Sequence, residues 1–396
     1  MVELRDNTMS KVLFAISDTF PFDKAYAARI RTFAKLYQGL GYETEILCDY
    51  PSAENSVSEF GIIHYANNNQ FKGLKKLFFL PILYAKRLDA LLRTNNYIAI
   101  VSRSMFDRFD LVLSIAKKHD VSIILESCEW YDVCGFQRGR FDIRYFQFLH
   151  CMKHSYNKCN AVIAISRLLE CHYNLSNDNV IRIPAILDVN NLPYRVTNSN
   201  DNVIKIMFAG SIFGGKEQFS ELLSALSQIN HQYHRIHLNI YGPNHEEFFN
   251  SLSDNGKIVF DTVKDCITVH GRIPQSEMPS IYTENDFGIF FRPDRKSSHA
   301  GFPTKLGEYL AAGTPVITND TGDISLVIKD GINGYLINEP STQNIIEVLS
   351  KCLELTNDEF ISMRVEARKS AEECLHFSRY SNQVKRMMEK LIDAST

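Results

Sequence analysis

The sequence predicts an α/β protein of two doubly wound domains facing each other across a cleft. Three observations lead there. Short apolar runs of strand length alternate with helix-length stretches, which is the signature of βαβ units around a parallel sheet. The alternation breaks once, between Asp188 and Asn202, and then restarts. The chain has 396 residues, too many for one compact domain, so two of roughly 150–200 residues are expected.

In the first half, Val12–Ser17 (VLFAIS) is a buried-strand run, and Ala25–Leu40 places Ile30, Phe33, Ala34 and Leu36 at helical spacing. Gly41 stops that helix and Thr44–Cys48 makes the next strand. Tyr97–Val101, a helix over about 106–118, Val121–Glu126, a helix over about 144–156, Ala161–Ile165 and Val180–Ile183 continue the alternation. The stretch 188–202 (DVNNLPYRVTNSNDN) is polar, contains one Pro and has no period, as expected of an interdomain linker. Strands then follow at Val203–Ala209, Ile236–Tyr241, Ile267–His270, Phe287–Phe291 and Pro315–Thr318. Helices are expected at 217–229, 303–312, 341–355, 358–374 and 378–392. The expected domains are two Rossmann-like units, 1–190 and 203–375, with 376–396 a terminal helix crossing back to the first.

Composition excludes several classes. Apolar residues at 45% and charged residues at 22% describe a globular chain with a sizeable core. A net charge of −3 gives no reason to expect a nucleic-acid partner. The charge is uneven: residues 1–198 carry 24 Lys and Arg against 20 Asp and Glu, the remainder 19 against 26. A basic first half suits an anionic or membrane-held partner. Nine cysteines without framework spacing point to reduced thiols in a cytoplasmic protein. Cys151, His154, Cys159 and Cys171 include no CxxC pair, so packing residues explain them better than zinc. No signal peptide is read at the start, and the longest apolar stretch, Leu77–Ala85, is well short of the ~20 residues a spanning helix needs. Phe71–Arg93 mixes bulky apolar residues with six Lys and Arg. It reads either as an amphipathic helix pair covering the sheet or as a peripheral contact with an anionic membrane.

The chemistry concentrates in Phe291–Leu336. After a strand ending at Phe291 comes a loop rich in Arg, Lys, Ser and Gly, and Pro303 opens a helix at the position where Pro is best tolerated. Free amides at that helix start favour an anion; Thr304 and Lys305 lie in its first turn, the lysine adding positive charge. Glu308, three residues on, shares the face of Lys305 and is placed to accept hydrogen bonds from the two hydroxyls of a ribose. Together these make a nucleotide diphosphate pocket. No Asp-x-Asp stands at a strand end to chelate a divalent ion, so neither a metal nor another cofactor is expected.

This stretch resembles the donor-binding signature of the retaining glycosyltransferase family 4, whose architecture is called GT-B. The family pattern is Glu-Gly-Phe with a second Glu eight positions after the first. Gly301, Phe302 and Glu308 match, whereas Ala300 stands in place of the first Glu. A second element, Gly-Arg-Leu followed after three residues by Lys, is matched by Gly210 and Lys216 but has Ser211 for Arg. In the family that Arg and Lys neutralise the diphosphate leaving group; here Lys305, Arg292 or Arg295 can make up the missing cation. The resemblance further implies a base contact from the backbone of Ile273, in the turn HGRIP. Arg272 beside it faces either the phosphates or solvent.

The first domain should hold the acceptor. The loop after the first strand contains Asp18, and the helix after it carries Arg29, a candidate for an acceptor phosphate or a surface ion pair. The strand at 123–125 runs into Glu126-Ser127-Cys128-Glu129-Trp130-Tyr131, and carboxylates at the carboxyl end of a parallel strand sit at the crevice. In a branch of the family such a strand ends in Glu-aromatic beside the reacting sugar. Glu129 is therefore the expected partner of the acceptor hydroxyl, and Trp130 either stacks on a sugar or packs. The combined expectation is a metal-independent, retaining transfer of a sugar from a UDP- or GDP-sugar to a glycan or lipid-linked acceptor. Its setting would be capsule, exopolysaccharide or O-antigen assembly, in the cytoplasm or at the inner membrane face. Ala300 and Ser211 leave open a nucleotide-sugar-binding but inactive partner subunit, and the architecture also admits a nucleotide-sugar epimerase.

Overall fold

The computed structural model of the chain describes residues 10–17, 20, 25–52, 54–67, 73–197, 203–212, 219–231 and 235–394. They form two compact units, Met1–Pro184 with Phe377–Thr396 and Ala185–His376.

The first unit is built on β1 (Lys11–Ala15), β2 (Glu43–Pro51), β3 (Ser56–Ser58), β4 (Gly61–Asn67), β5 (Tyr97–Arg103), β6 (Ser122–Ser127), β7 (Ala161–Ala164) and β8 (Val180–Arg182). Their order is β3-β4-β2-β1-β5-β6-β7-β8, and only β3 runs antiparallel to its neighbour. Val12, Leu13, Phe14 and Ala15 are fully buried because helices cover both faces of the sheet, which is why this strand reads as an unbroken apolar run. The chain winds outward from β1 to β2 and β4, then returns to pair β5 on the other side of β1. That reversal puts the unit's crevice at the carboxyl ends of β1 and β5. Buried Glu45 on β2 ties four strands: it accepts hydrogen bonds from Lys11, His64 and the Tyr97 hydroxyl. Against burial, which pushes it up, these partners hold its carboxyl down to about 2.

The stretch read as a helix pair is one helix, Gly73–Thr94, with Pro81 inside it. Leu80, Tyr84, Leu88 and Leu91 face inward at helical spacing and the Tyr84 hydroxyl donates to the Leu47 carbonyl. The helix expected over 144–156 ends as an α-helix at His150 and continues as a wider π turn, Cys151–Ser155.

The second unit contains β9 (Ile204–Ala209), β10 (Ile236–Tyr241), β11 (Ile267–Gly271), β12 (Phe287–Phe290), β13 (Val316–Asn319) and β14 (Gly334–Ile337), ordered β11-β10-β9-β12-β13-β14 and all parallel. Its reversal lies between β9 and β12. The described part of the expected linker, 188–197, is not loose: Arg195 N–H donates to the Ala312 carbonyl, and Arg368 donates to the carbonyls of Leu192 and Ala311. The wholly buried Arg364 similarly bridges the carbonyls of Asn285 and Gly313. The sequence pattern registers missing periodicity, not backbone carbonyls that a distant arginine will collect. The terminal helix Ser381–Asp393 belongs to the first unit, burying Val384, Met387, Met388 and Leu391, and the Asn179 amide donates to the Met387 carbonyl. No helix among the described residues is long and apolar enough to cross a membrane.

Candidate functional site

In the second unit β9 and β12 pair only through Ile206–Phe287 and Met207–Gly288 before they part. The opening is filled from the helix Thr304–Ala311: the Tyr309 hydroxyl accepts a hydrogen bond from Ala209 N–H at 2.8 Å. Gly288 makes this possible, because a Cβ there would come within 2.5 Å of the Tyr309 ring. Beyond Ala209 the chain turns at Gly210 (φ +143°), and Gly242 packs so close that a Cβ on it would lie 2.2 Å from the Gly210 carbonyl oxygen. Glycine is required at Gly242 by this backbone approach, and at Gly210 by its positive φ.

Lys305 reaches this turn. Its Nζ would stand 3.1 Å from a Cβ on Gly210, and lies 4.1 Å from the ring centre of Phe208 and 5.2 Å from that of Phe290. The ammonium thus sits over aromatic faces at the ends of β9 and β12, held by their negative quadrupoles. Its helix starts at Thr304, one residue later than expected. Pro303 occupies the preceding cap position with extended backbone, and no side chain caps the helix. Buried Phe302 anchors this corner, and half-buried Gly301 ends the short helix Lys296–Ala300. Uncapped first-turn amides beside a lysine form an anion site.

Glu308 is half-buried one turn further on. It accepts hydrogen bonds from the Tyr282 hydroxyl at 2.7 Å and the Gln275 amide at 3.4 Å. Burial raises its carboxyl above the usual range, opposed by those two donors and the charge of Lys305. Gln275 also brings the turn containing half-buried Ile273 against Glu308. Tyr282 and Gln275 were missed in the sequence; each lies some thirty residues from Glu308, with no local signal linking them.

Other expected residues fall differently. Lys216 lies outside the described residues, as does Asp18. Ser211 is exposed at the strand end. Arg272 is largely exposed and turns to Glu247, 3.2 Å away, so of its two readings the structure shows the ion pair in solvent. Arg292 donates to the Ser298 carbonyl and exchanges hydrogen bonds with Asn319 through its backbone, bracing the loop before the helix. Ala300 is completely buried.

In the first unit, Arg29 is only 4% exposed. Its Nε donates to Glu126 Oε1 at 2.6 Å, and its two terminal nitrogens to the carbonyls of Pro184 and Ile183. This corrects the expectation of an acceptor-phosphate ligand or surface pair: the guanidinium is committed to a buried carboxylate and two carbonyls. Glu126, at the end of β6, is fully buried and also accepts from the Cys128 thiol. Its other oxygen and the nearby Tyr26 hydroxyl are buried with no hydrogen-bond partner among the described residues. Burial, and then the charge of Glu126, hold the Tyr26 hydroxyl well above the usual range. Glu129 is half-buried beside Tyr131, whose hydroxyl is raised by burial and then by that carboxylate. Trp130 packs edge-on against Phe148 and His172, with ring centres 5.9 and 5.4 Å away, which favours packing over sugar stacking. Among the described residues no group of three or more His, Cys, Asp or Glu side chains is placed to hold a metal ion.

A glycine turn, an uncapped helix start with its lysine, and a carboxylate one turn below thus meet at one corner of this parallel-sheet unit. The model of the family described as glycosyl transferases group 1 matches residues 204–355, the greater part of this unit. The whole chain has the GT-B fold. It superposes on sucrose-phosphate synthase from Thermosynechococcus elongatus with a TM-score of 0.76 and 13% identity, covering 97% of this chain and 100% of that one. For Anabaena HepE in complex with UDP and glucose the TM-score is 0.67 at 14% identity, covering 96% and 99%. For a mutant of S. aureus TarM in complex with Fondaparinux, alpha-GlcNAc-glycerol and UDP the values are 0.71 and 10%, covering 96% and 100%. In sequence, 102 residues are 28% identical to an uncharacterised 41.2 kDa protein of the Klebsiella pneumoniae cps region. That segment is 26% of this chain and 27% of the relative.

Proposed function

We propose that this protein is a retaining glycosyltransferase that moves a sugar from a UDP- or GDP-sugar to a glycan or lipid-linked acceptor during surface polysaccharide synthesis. The observation that carries the proposal is the convergence of Lys305 Nζ, the Gly210 turn and an uncapped helix start, with Glu308 one turn on. Lys305 and the first-turn amides take the diphosphate, joined by Lys216, and stabilise charge developing on the leaving group without a metal cofactor. Glu308 takes the ribose hydroxyls, and the backbone near Ile273 the base. The acceptor hydroxyl is assigned to Glu129, the carboxylate two residues after β6. Retention of configuration, with the leaving phosphate accepting the proton, is carried over from the family resemblance. The cps-region relative supports the setting, and the family match supports the reaction class.

The test is a melting-temperature screen against UDP, GDP, ADP and their sugars, followed by nucleotide release. One nucleotide class should raise the melting temperature, and its sugar should be slowly hydrolysed without acceptor. No shift with any nucleotide diphosphate would overturn the reading. Buried Ala300 favours one alternative, a partner subunit that binds a nucleotide sugar without turning it over. Binding with no nucleotide release, with or without acceptor, would select it.

A further inference from the structure

We infer that the helix Ile143–His150, with the turn before it, is a docking surface for an anionic lipid bilayer. On this helix Phe148 is buried, packed against Phe106, Trp130 and Tyr131. The opposite face carries Ile143, Phe146 and Leu149 at a spacing of three, exposed by 57, 57 and 41%. Phe141, in the turn Gly139–Phe141, is 88% exposed, and Leu111 on the adjoining helix Phe109–Lys118 is 41% exposed. Phe146, Leu111 and His150 share the lining of a shallow hollow of about 350 Å³. The result is an apolar face of five side chains, clamped from behind by an aromatic cluster.

The charge around it selects the occupant. Residues 136–158 contain Arg138, Arg140, Arg144, Lys153 and Lys158 but a single acid, Asp142. Asp142 is buried, caps the helix and is engaged by Arg144 at 2.6 and 2.9 Å. Two acids line the hollow: Asp110 accepts from Ser155 and is bonded to His150, and Asp107 pairs with Arg108. Arg138, Arg140, Lys153 and Lys158, within eight residues of the helix on either side, are exposed. Bulky apolar side chains rimmed by cations suit the boundary between acyl chains and anionic headgroups. A protein interface is depleted of Lys and buries about 800 Å² on each partner, more than one eight-residue helix and its turn provide. The site lies within the first unit and does not depend on the proposed sugar transfer.

The experiment is co-sedimentation of the full chain with phosphatidylcholine vesicles, with and without one third phosphatidylglycerol. Binding is expected only to the anionic vesicles, and added salt should release it. Each cation at such a surface contributes about 1 kcal/mol, roughly fivefold in affinity, so Arg138→Glu with Arg140→Glu should weaken binding at least about 25-fold. Phe141→Ser with Phe146→Ser should weaken it tenfold or more, with the melting temperature unchanged because both side chains are exposed. The pair Phe78→Ser and Ile82→Ser, on the helix Gly73–Thr94, should bind like the parent. The inference is overturned if the parent ignores anionic vesicles, if only the Phe78 and Ile82 pair loses binding, or if Phe146→Ser converts a parent dimer to a monomer in sedimentation velocity.

Discussion

Each unit places a cation and a carboxylate at the carboxyl end of its parallel sheet, and the two pairs are used in opposite ways. In the first unit Arg29 and Glu126 are bonded to each other at 2.6 Å and closed off from solvent. In the second, Lys305 and Glu308 sit one turn apart on one helix, and Glu308 is held by the neutral donors Tyr282 and Gln275. A carboxylate whose hydrogen bonds come from neutral donors is bonded to no cation, whereas one fixed by a guanidinium has spent its charge on the fold. Position in the topology therefore says where a functional group can act, and its partner says whether it does.

The largest effect is expected from Arg29→Ala. It leaves Glu126 charged and unpaired in the core, a change that costs about 3–5 kcal/mol for a buried pair. Chemical denaturation should show that loss, with UDP affinity unchanged wherever the protein stays folded. A stable variant that loses acceptor binding would break the comparison, because Arg29 would then face a ligand. Glu308→Ala comes next. Losing charge-assisted hydrogen bonds worth about 1.5–3 kcal/mol should weaken UDP binding tenfold to a hundredfold by calorimetry, and 2′-deoxy-UDP should lose less. Lys305→Met should weaken UDP by about 1.5–2 kcal/mol, in the range of a hydrogen bond to a charged group, and leave uridine nearly unaffected.

Tyr282→Phe should cost least, about 1 kcal/mol, one ordinary hydrogen bond. Its pH dependence is more informative than its size. In the proposed ribose role both oxygens of ionised Glu308 accept, so affinity should be full above its raised carboxyl value and fall as pH drops through it. Tyr282 is one of the donors opposing that rise. Removing its hydroxyl should move the fall to higher pH in a calorimetric titration; an unmoved profile would mean that Tyr282 only packs.

How much of this was legible follows the range of the interactions. The helix from Thr304 announced itself through Pro303, Lys305 and Glu308, all within six residues, and only its first residue shifted. Strands buried on both faces, such as β1 and β6, stood out as apolar runs. The pair β3 and β4 did not: Ser56–Ser58 has a single apolar residue, and β4 carries His64 for its bond to Glu45, which blurs the apolar pattern. In the first unit the expectation settled on Glu129, although Glu126 closes a strand of six buried residues. Its partner Arg29 is 97 residues away, and nothing local shows that a charge has been neutralised from that distance.

The return of residues 377–396 to the first unit has a consequence for biosynthesis. The second unit is an insertion within the first, so on the ribosome it is finished while the earlier unit still lacks its last helix. Val384, Met387, Met388 and Leu391 are synthesised only after the whole second unit. A stop codon ahead of Ser381 should therefore damage the first unit and leave the second, made in between, able to fold.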